Sequence, residues 1–165
     1  MQFSPRRLKD KKQYDVFISH ANEDTDWCKQ LAEDLRDARL RVWFDKWQIR
    51  KPGTNLIDEM EKGLARSRRA ILVFTPKYVS KKNCWARAER CAITYIHFDS
   101  VEHRGFAIPL LLKDCKLSLL WVSQKYLDFR NEALYQTNLQ ELIDILRDES
   151  PANQTPRVKR LTLSN

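Results

Sequence analysis

With 165 residues, 42% hydrophobic and 32% charged, the chain has the size and balance of one globular domain. No apolar run approaches the roughly 18–20 residues of a membrane-spanning helix, and Met1 to Lys12 is polar and basic where a secretory signal needs an apolar stretch. The net charge of +8 sits mainly in the tails: residues 1–12 carry +4 and 151–165 carry +3, which leaves +1 for 13–150 and disfavours nucleic-acid binding by the body. The pattern divides the chain into a basic extension over 1–12, one domain over 13–149 and a basic tail over 150–165. That tail reads as a linker toward a partner domain on its carboxyl side. Cys28, Cys84, Cys91 and Cys115 form no C-x-x-C pair, so reduced thiols in a cytoplasmic protein are the expectation.

Tyr14-Asp15-Val16-Phe17-Ile18-Ser19 is a β-rich run suited to a first buried strand. The acidic lead-in Asn22 to Asp26 favours a helix N-terminus, and Trp27, Leu31, Leu35 and Ala38 predict an amphipathic helix over 25–38. Arg41-Val42-Trp43-Phe44 reads as a second strand, and Asp45 to Thr54, with Pro52-Gly53, as a loop. Leu56, Ile57, Met60 and Leu64 mark a second helix. Ala70 to Phe74 is a continuous apolar run ended by Thr75-Pro76, the pattern of a strand buried on both faces of a parallel sheet. A lysine-rich loop (Lys77, Lys81, Lys82) leads to a third helix from Cys84, with Trp85, Ala88, Ala92 and Ile96 along one side. Cys84 and Cys91, two helical turns apart, suit core packing. Phe106 to Leu111 is a fourth strand, in which Pro109 predicts an edge or strand-end position. The stretch 113–129 is irregular with one short strand near Tyr126 to Phe129, and Leu134, Leu139, Leu142, Ile143 and Leu146 form a last helix.

Strands alternating with helices imply right-handed crossovers and a mainly parallel sheet of about five strands, covered by helices on both faces. Ligands of such sheets sit beyond the carboxyl ends of the strands. The candidates are therefore Ser19-His20-Ala21-Asn22, Asp45-Lys46-Trp47, Thr75-Pro76 and the start of the third helix with Trp85 and Glu89. No glycine-rich phosphate loop follows any strand, which disfavours dinucleotide-fold and P-loop readings. Trp27, Trp43 and Trp121 read as core. His97 and His103 flank an irregular polar stretch and form no constellation, and no metal ligand set emerges.

The order of these motifs resembles the TIR (Toll/interleukin receptor) domain. Tyr14 to Ala21 resembles its opening strand, Trp43-Phe44-Asp45-Lys46-Trp47-Gln48-Ile49 with Pro52-Gly53 its second strand and following loop, and Ser67 to Pro76 its third strand. Cys84-Trp85-x-x-x-Glu89 resembles its acidic helix, and the Ser-His-Ala variant looks like the bacterial, enzymatic branch. The resemblance implies a flavodoxin-like fold and maps onto Glu89 the glutamate that cleaves the nicotinamide–ribose bond of NAD⁺. NAD⁺ then enters as substrate, with no cofactor and no metal. The resemblance also implies self-association with other TIR domains and an effector role in defence or cell death. The competing reading is a non-enzymatic module that recruits other TIR domains through the loop from Trp47 to Gly53.

Single residues keep alternatives at this level. Trp85 is either a core anchor or a platform stacking on the nicotinamide or adjacent ring. Asp45 caps the following loop or orients substrate. Trp47 covers substrate or meets a second TIR domain. Ser19 and His20 contact substrate, with a general-base role for His20 the weaker option.

Overall fold

The structure, a computed structural model, describes residues 12–48, 53, 55–80, 84–99 and 105–147; for 48, 56, 84–89, 98 and 99 it describes the backbone alone. Most of both basic tails, the loop around Pro52, Lys81, Lys82 and His103 lie outside the described residues. In chain order the elements are β1 Tyr14–Ser19, α1 Thr25–Asp37, β2 Val42–Trp43, α2 Asp45–Gln48, α3 Leu56–Ala65, β3 Ser67–Phe74 and α4 Pro76–Val79. They continue with α5 Cys84–Asp99, β4 Ala107–Leu111, α6 Leu119–Val122, β5 Leu127–Asp128 and α7 Tyr135–Arg147. The five strands form one all-parallel sheet in the order β2-β1-β3-β4-β5.

The alternation within β3 divides the core in two. Ile71 and Val73 join Val16, Ile18 and Leu110 on one face, where α1 and α7 supply Leu31, Leu35, Leu142 and Leu146. Ala70, Leu72 and Phe74 join Phe17 and Leu111 on the other, beneath Met60 of α3, Ile93 of α5 and Trp121 of α6. The continuous apolar run is thus two half-stripes, one per face. Helix starts follow local chemistry. Asn55 accepts the Ile57 N–H at 3.1 Å to cap α3, and Thr75 accepts the Tyr78 N–H at 3.2 Å to cap α4, with Pro76 in the first turn.

Several expectations change. Pro109 lies inside the sheet, registered against Leu72 of β3. The ladder alternation, set by Ala70 N–H to Phe106 O and Leu112 N–H to Phe74 O, turns its missing donor toward the β5 side. There β5 begins only opposite Leu110, so no ladder donor is lost. Asp45–Gln48 and Pro76–Val79 are helical turns where loops were expected, and Leu119–Val122 is a short helix within the irregular stretch. On α5 the buried side is Ile93 and His97, with Ile96 packed against it; Ala92 and Cys91 are exposed, so Cys91 is not a core thiol.

His97 ties the end of α5 to the sheet. Its Nδ1 accepts the Ala107 N–H at 3.1 Å, and its ring lies 5.5 Å from that of Trp121. Burial lowers its pKa below the ordinary 6.5, against a hydrogen bond with Gln124 that favours protonation. As pH falls below 6.5 the unfolded chain takes up the proton first, so stability declines until the folded ring protonates as well. A urea midpoint measured from pH 7.5 down to 5 is expected to fall less steeply in His97→Gln than in wild type. Parallel slopes would remove His97 as the titrating group.

Candidate functional site

The strand order reverses between β1 and β3, and in sheets of this kind the ligand crevice lies at such a switch point, beyond the carboxyl ends of the strands. Ser19, at the end of β1, is fully buried, and its Oγ lies 2.7 Å from Oη of Tyr78 on α4. The next residue, His20, is 7% exposed; its Nδ1 meets the Ala21 carbonyl at 2.9 Å and its Nε2 lies 3.3 Å from Oδ1 of Asp45 on α2. Both ring nitrogens therefore face oxygen atoms, and a neutral ring can donate its single N–H to only one of them. Burial raises the pKa of Asp45, but the contacts of its carboxylate with His20 and Lys46 outweigh this and hold it below the ordinary carboxylate value. Asp45 is ionised at neutral pH. It also accepts the Lys46 N–H at 2.8 Å, so its carboxylate engages the start of α2.

Trp47 is half-buried and packs against the α1 face of the core. Its ring meets Phe44 edge-on at 5.4 Å, and the Arg36 guanidinium lies 4.8 Å above it. This contact fastens α2 to α1. On α5 the backbone over 84–89 is helical, which puts positions 85 and 89 one turn apart. Position 89 also precedes the buried Ile93 by one turn. The side chains of Trp85 and Glu89 lie outside the described residues. The structure thus brings Ser19, His20 and Asp45 together, and sets Trp47 beside them but against the core.

Three residues at the crevice are not singled out by the sequence. Tyr78 is one, the partner of Ser19. The others are Asp24 and Lys113. The Asp24 side chain, 1% exposed, accepts the Thr75 hydroxyl at 2.7 Å and the Lys113 ammonium at 2.6 Å. This network joins the β1–α1 turn to the ends of β3 and β4. In the sequence Asp24 is hidden within an acidic helix lead-in, and only its pairing across 89 positions distinguishes it. Removing Lys113 leaves a carboxylate in the interior without its counter-charge. Lys113→Met is expected to cost about 2–3 kcal/mol, below a fully buried pair because the lysine is itself partly solvated. A urea-unfolding comparison with Lys116→Met, at an exposed lysine, checks it: equal losses would deny the pair this role. Among the described residues no cluster of His, Cys, Asp and Glu suits a metal ion. No helix among them is long and apolar enough to cross a membrane.

A parallel sheet in this order, with polar side chains gathered at the switch point, defines a flavodoxin-like α/β domain. The family described as TIR domain matches residues 16–143, and the chain belongs to it. It is similar to the NAD(+) hydrolase TcpA of Theionarchaea archaeon (strain DG-70-1), 41% identical over 78 residues, which are 47% of this chain and 23% of that protein. It is also similar to the 2' cyclic ADP-D-ribose synthase BtTIR of Bacteroides thetaiotaomicron, 42% identical over 79 residues, 47% of this chain and 26% of that protein. The matched stretch spans about a quarter of the length of these curated relatives. Among solved structures, the TIR domain of the Toll-related receptor TRR-2 from Hydra magnipapillata superposes with a TM-score of 0.66 at 22% identity. The match covers 82% of this chain and 99% of that one, a likeness of fold alone.

Proposed function

We propose that this TIR domain cleaves the bond between nicotinamide and ribose in NAD⁺, with Glu89 as the catalytic carboxylate. The observation that carries the reading is the likeness, near 40% identity, to proteins named as an NAD(+) hydrolase and a 2' cyclic ADP-D-ribose synthase. The chemistry asks little of the protein. Nicotinamide leaves as a neutral molecule, so no general acid is required, and positive charge develops on the ribose. A fixed carboxylate beside that sugar stabilises the cation and accepts hydrogen bonds from its hydroxyls. Water then captures the cation to give ADP-ribose, or a hydroxyl of the same molecule captures it to give a cyclic product.

In this reading Trp85 offers a flat surface to the departing ring, one turn from Glu89. His20 and Asp45 stand at the crevice with Ser19 buried behind them, and the ionised Asp45, beside His20, orients the substrate. Trp47 braces α2, which carries Asp45. Self-association completes the site, and the activity serves immune defence or cell death. The test is nicotinamide release from NAD⁺ at several protein concentrations and with copies clustered on a bead surface, with Glu89→Ala alongside. Turnover that rises with clustering and vanishes in Glu89→Ala is the expected result. Equal turnover by both chains would strip Glu89 of its role, and no turnover by clustered wild type would leave the scaffold reading in its place.

A further inference from the structure

A cavity of about 570 Å³ lies between α5 and the segment that follows β4. Ser19, His20 and Asp45 are not among the described residues that line it. Its volume falls within the roughly 300–1,000 Å³ of small-molecule sites. Its walls combine three chemistries. Tyr95, 68% exposed, presents aromatic surface, with the edge of Trp121, 2% exposed, in the wall; Thr94 and Ser118 bring hydroxyls; Arg90 and Lys116 bring positive charge. None of the described residues that line it is acidic.

Arg90 is held in place. It donates one hydrogen bond to the Tyr78 carbonyl, and its guanidinium lies 5.3 Å from the centre of the Tyr78 ring. A guanidinium carries five N–H donors, so this single bond leaves it able to bind an anion in a fixed position. Lys116 is exposed on the opposite wall and adds a second, mobile cation. A purely apolar ligand would desolvate both charges without compensation.

We propose that this cavity is a second ligand site that takes a mononucleotide. Its ring lies against the exposed Tyr95, its ring edge bonds Thr94 and Ser118, and its phosphate sits between Arg90 and Lys116. Stacking on aromatic side chains accepts any base, so the walls define the class of ligand and not one nucleobase. The same Tyr78 that holds Arg90 meets Ser19 through its hydroxyl, which gives cavity and crevice one shared contact.

Cys91 supplies the readout, since its exposed thiol is part of the wall. The experiment follows alkylation of Cys91 by iodoacetamide, resolved by peptide mass spectrometry, with AMP as the probe. It is run on wild type and on Glu89→Gln, so that the outcome is independent of NAD⁺ cleavage. With AMP at about ten times its dissociation constant, the Cys91 rate is expected to fall about tenfold in both chains. Adenosine and inorganic phosphate, each offering half of the recognition, are expected to protect less. Lys116→Glu, a change at an exposed side chain, is expected to abolish protection by AMP with the thermal melt unchanged. Unaltered Cys91 reactivity at about 10 mM AMP, a level above any useful affinity, would overturn the proposal. So would adenosine protecting as well as AMP, or AMP protection that survives Lys116→Glu.

Discussion

Glu89→Gln is expected to lower nicotinamide release by about 10³-fold while the thermal melt stays within a degree or two of wild type. Glutamine keeps the size and helix propensity of glutamate and removes only its charge. A unit charge about 4 Å from a developing cation, at an effective dielectric near 20, contributes about 4 kcal/mol. At 1.36 kcal/mol per decade this is about a thousandfold in rate. Asp45→Asn is the informative partner. Its carboxylate is already in contact with His20 at 3.3 Å and with Lys46, so part of its bonding capacity is taken up before substrate arrives. Its loss is expected to cost about tenfold, in the range of one disturbed positioning contact. Steady-state kinetics of the two variants under clustered conditions checks both numbers. If Asp45→Asn proved the inert chain and Glu89→Gln the active one, the roles of the two carboxylates would be exchanged.

The second large effect concerns stability. Gly63→Ala is expected to destabilise the domain by about 3 kcal/mol, at the upper end of overpacking costs. In an exposed helix the same change would stabilise by about 1 kcal/mol, so the sign is itself diagnostic. The reason is Trp43. A Cβ built at Gly63 would fall 2.3 Å from Cε2 and 2.4 Å from Nε1 of that indole. The indole cannot retreat, because it is 3% exposed and stacked on Phe17 with ring centroids 4.4 Å apart and planes 9° from parallel. Urea unfolding measures the loss, and Trp43→Phe introduced into Gly63→Ala is expected to recover part of it. A Gly63→Ala chain as stable as wild type would mean that α3 shifts away from β2 at little cost.

The two positions also show what a linear reading can reach. Trp43 announces itself as core by its place in an apolar run, but its need for a glycine twenty positions later is a matter of three-dimensional fit. Strand order and parallel pairing were legible because alternating β and α patterns leave few topologies, and the crevice followed from the topology. Ser19, His20 and Asp45 were singled out through their places at strand ends, and the structure sets them near one another. The pairing of His20 with Asp45 was not legible, since it depends on a helical turn at Asp45–Gln48 that the local sequence does not announce. Asp24 and Lys113 escaped for a related reason: each is an ordinary charged residue until the fold brings them to 2.6 Å. The error at Pro109 came from treating a missing donor as a property of the whole strand, when each residue bonds to one side only. Cys91 was misassigned because a seven-residue interval identifies a common face without saying which way that face looks.

The two outermost strands have a consequence for aggregation. Val42–Trp43 and Leu127–Asp128 are each two residues long. A foreign strand docking at either margin would find too few backbone amides and carbonyls to build a ladder, so amyloid-like growth by edge-to-edge addition has little template on this domain. Any ordered higher assembly must instead be written in side chains on its helices and loops, where single substitutions can dissolve it without touching the sheet.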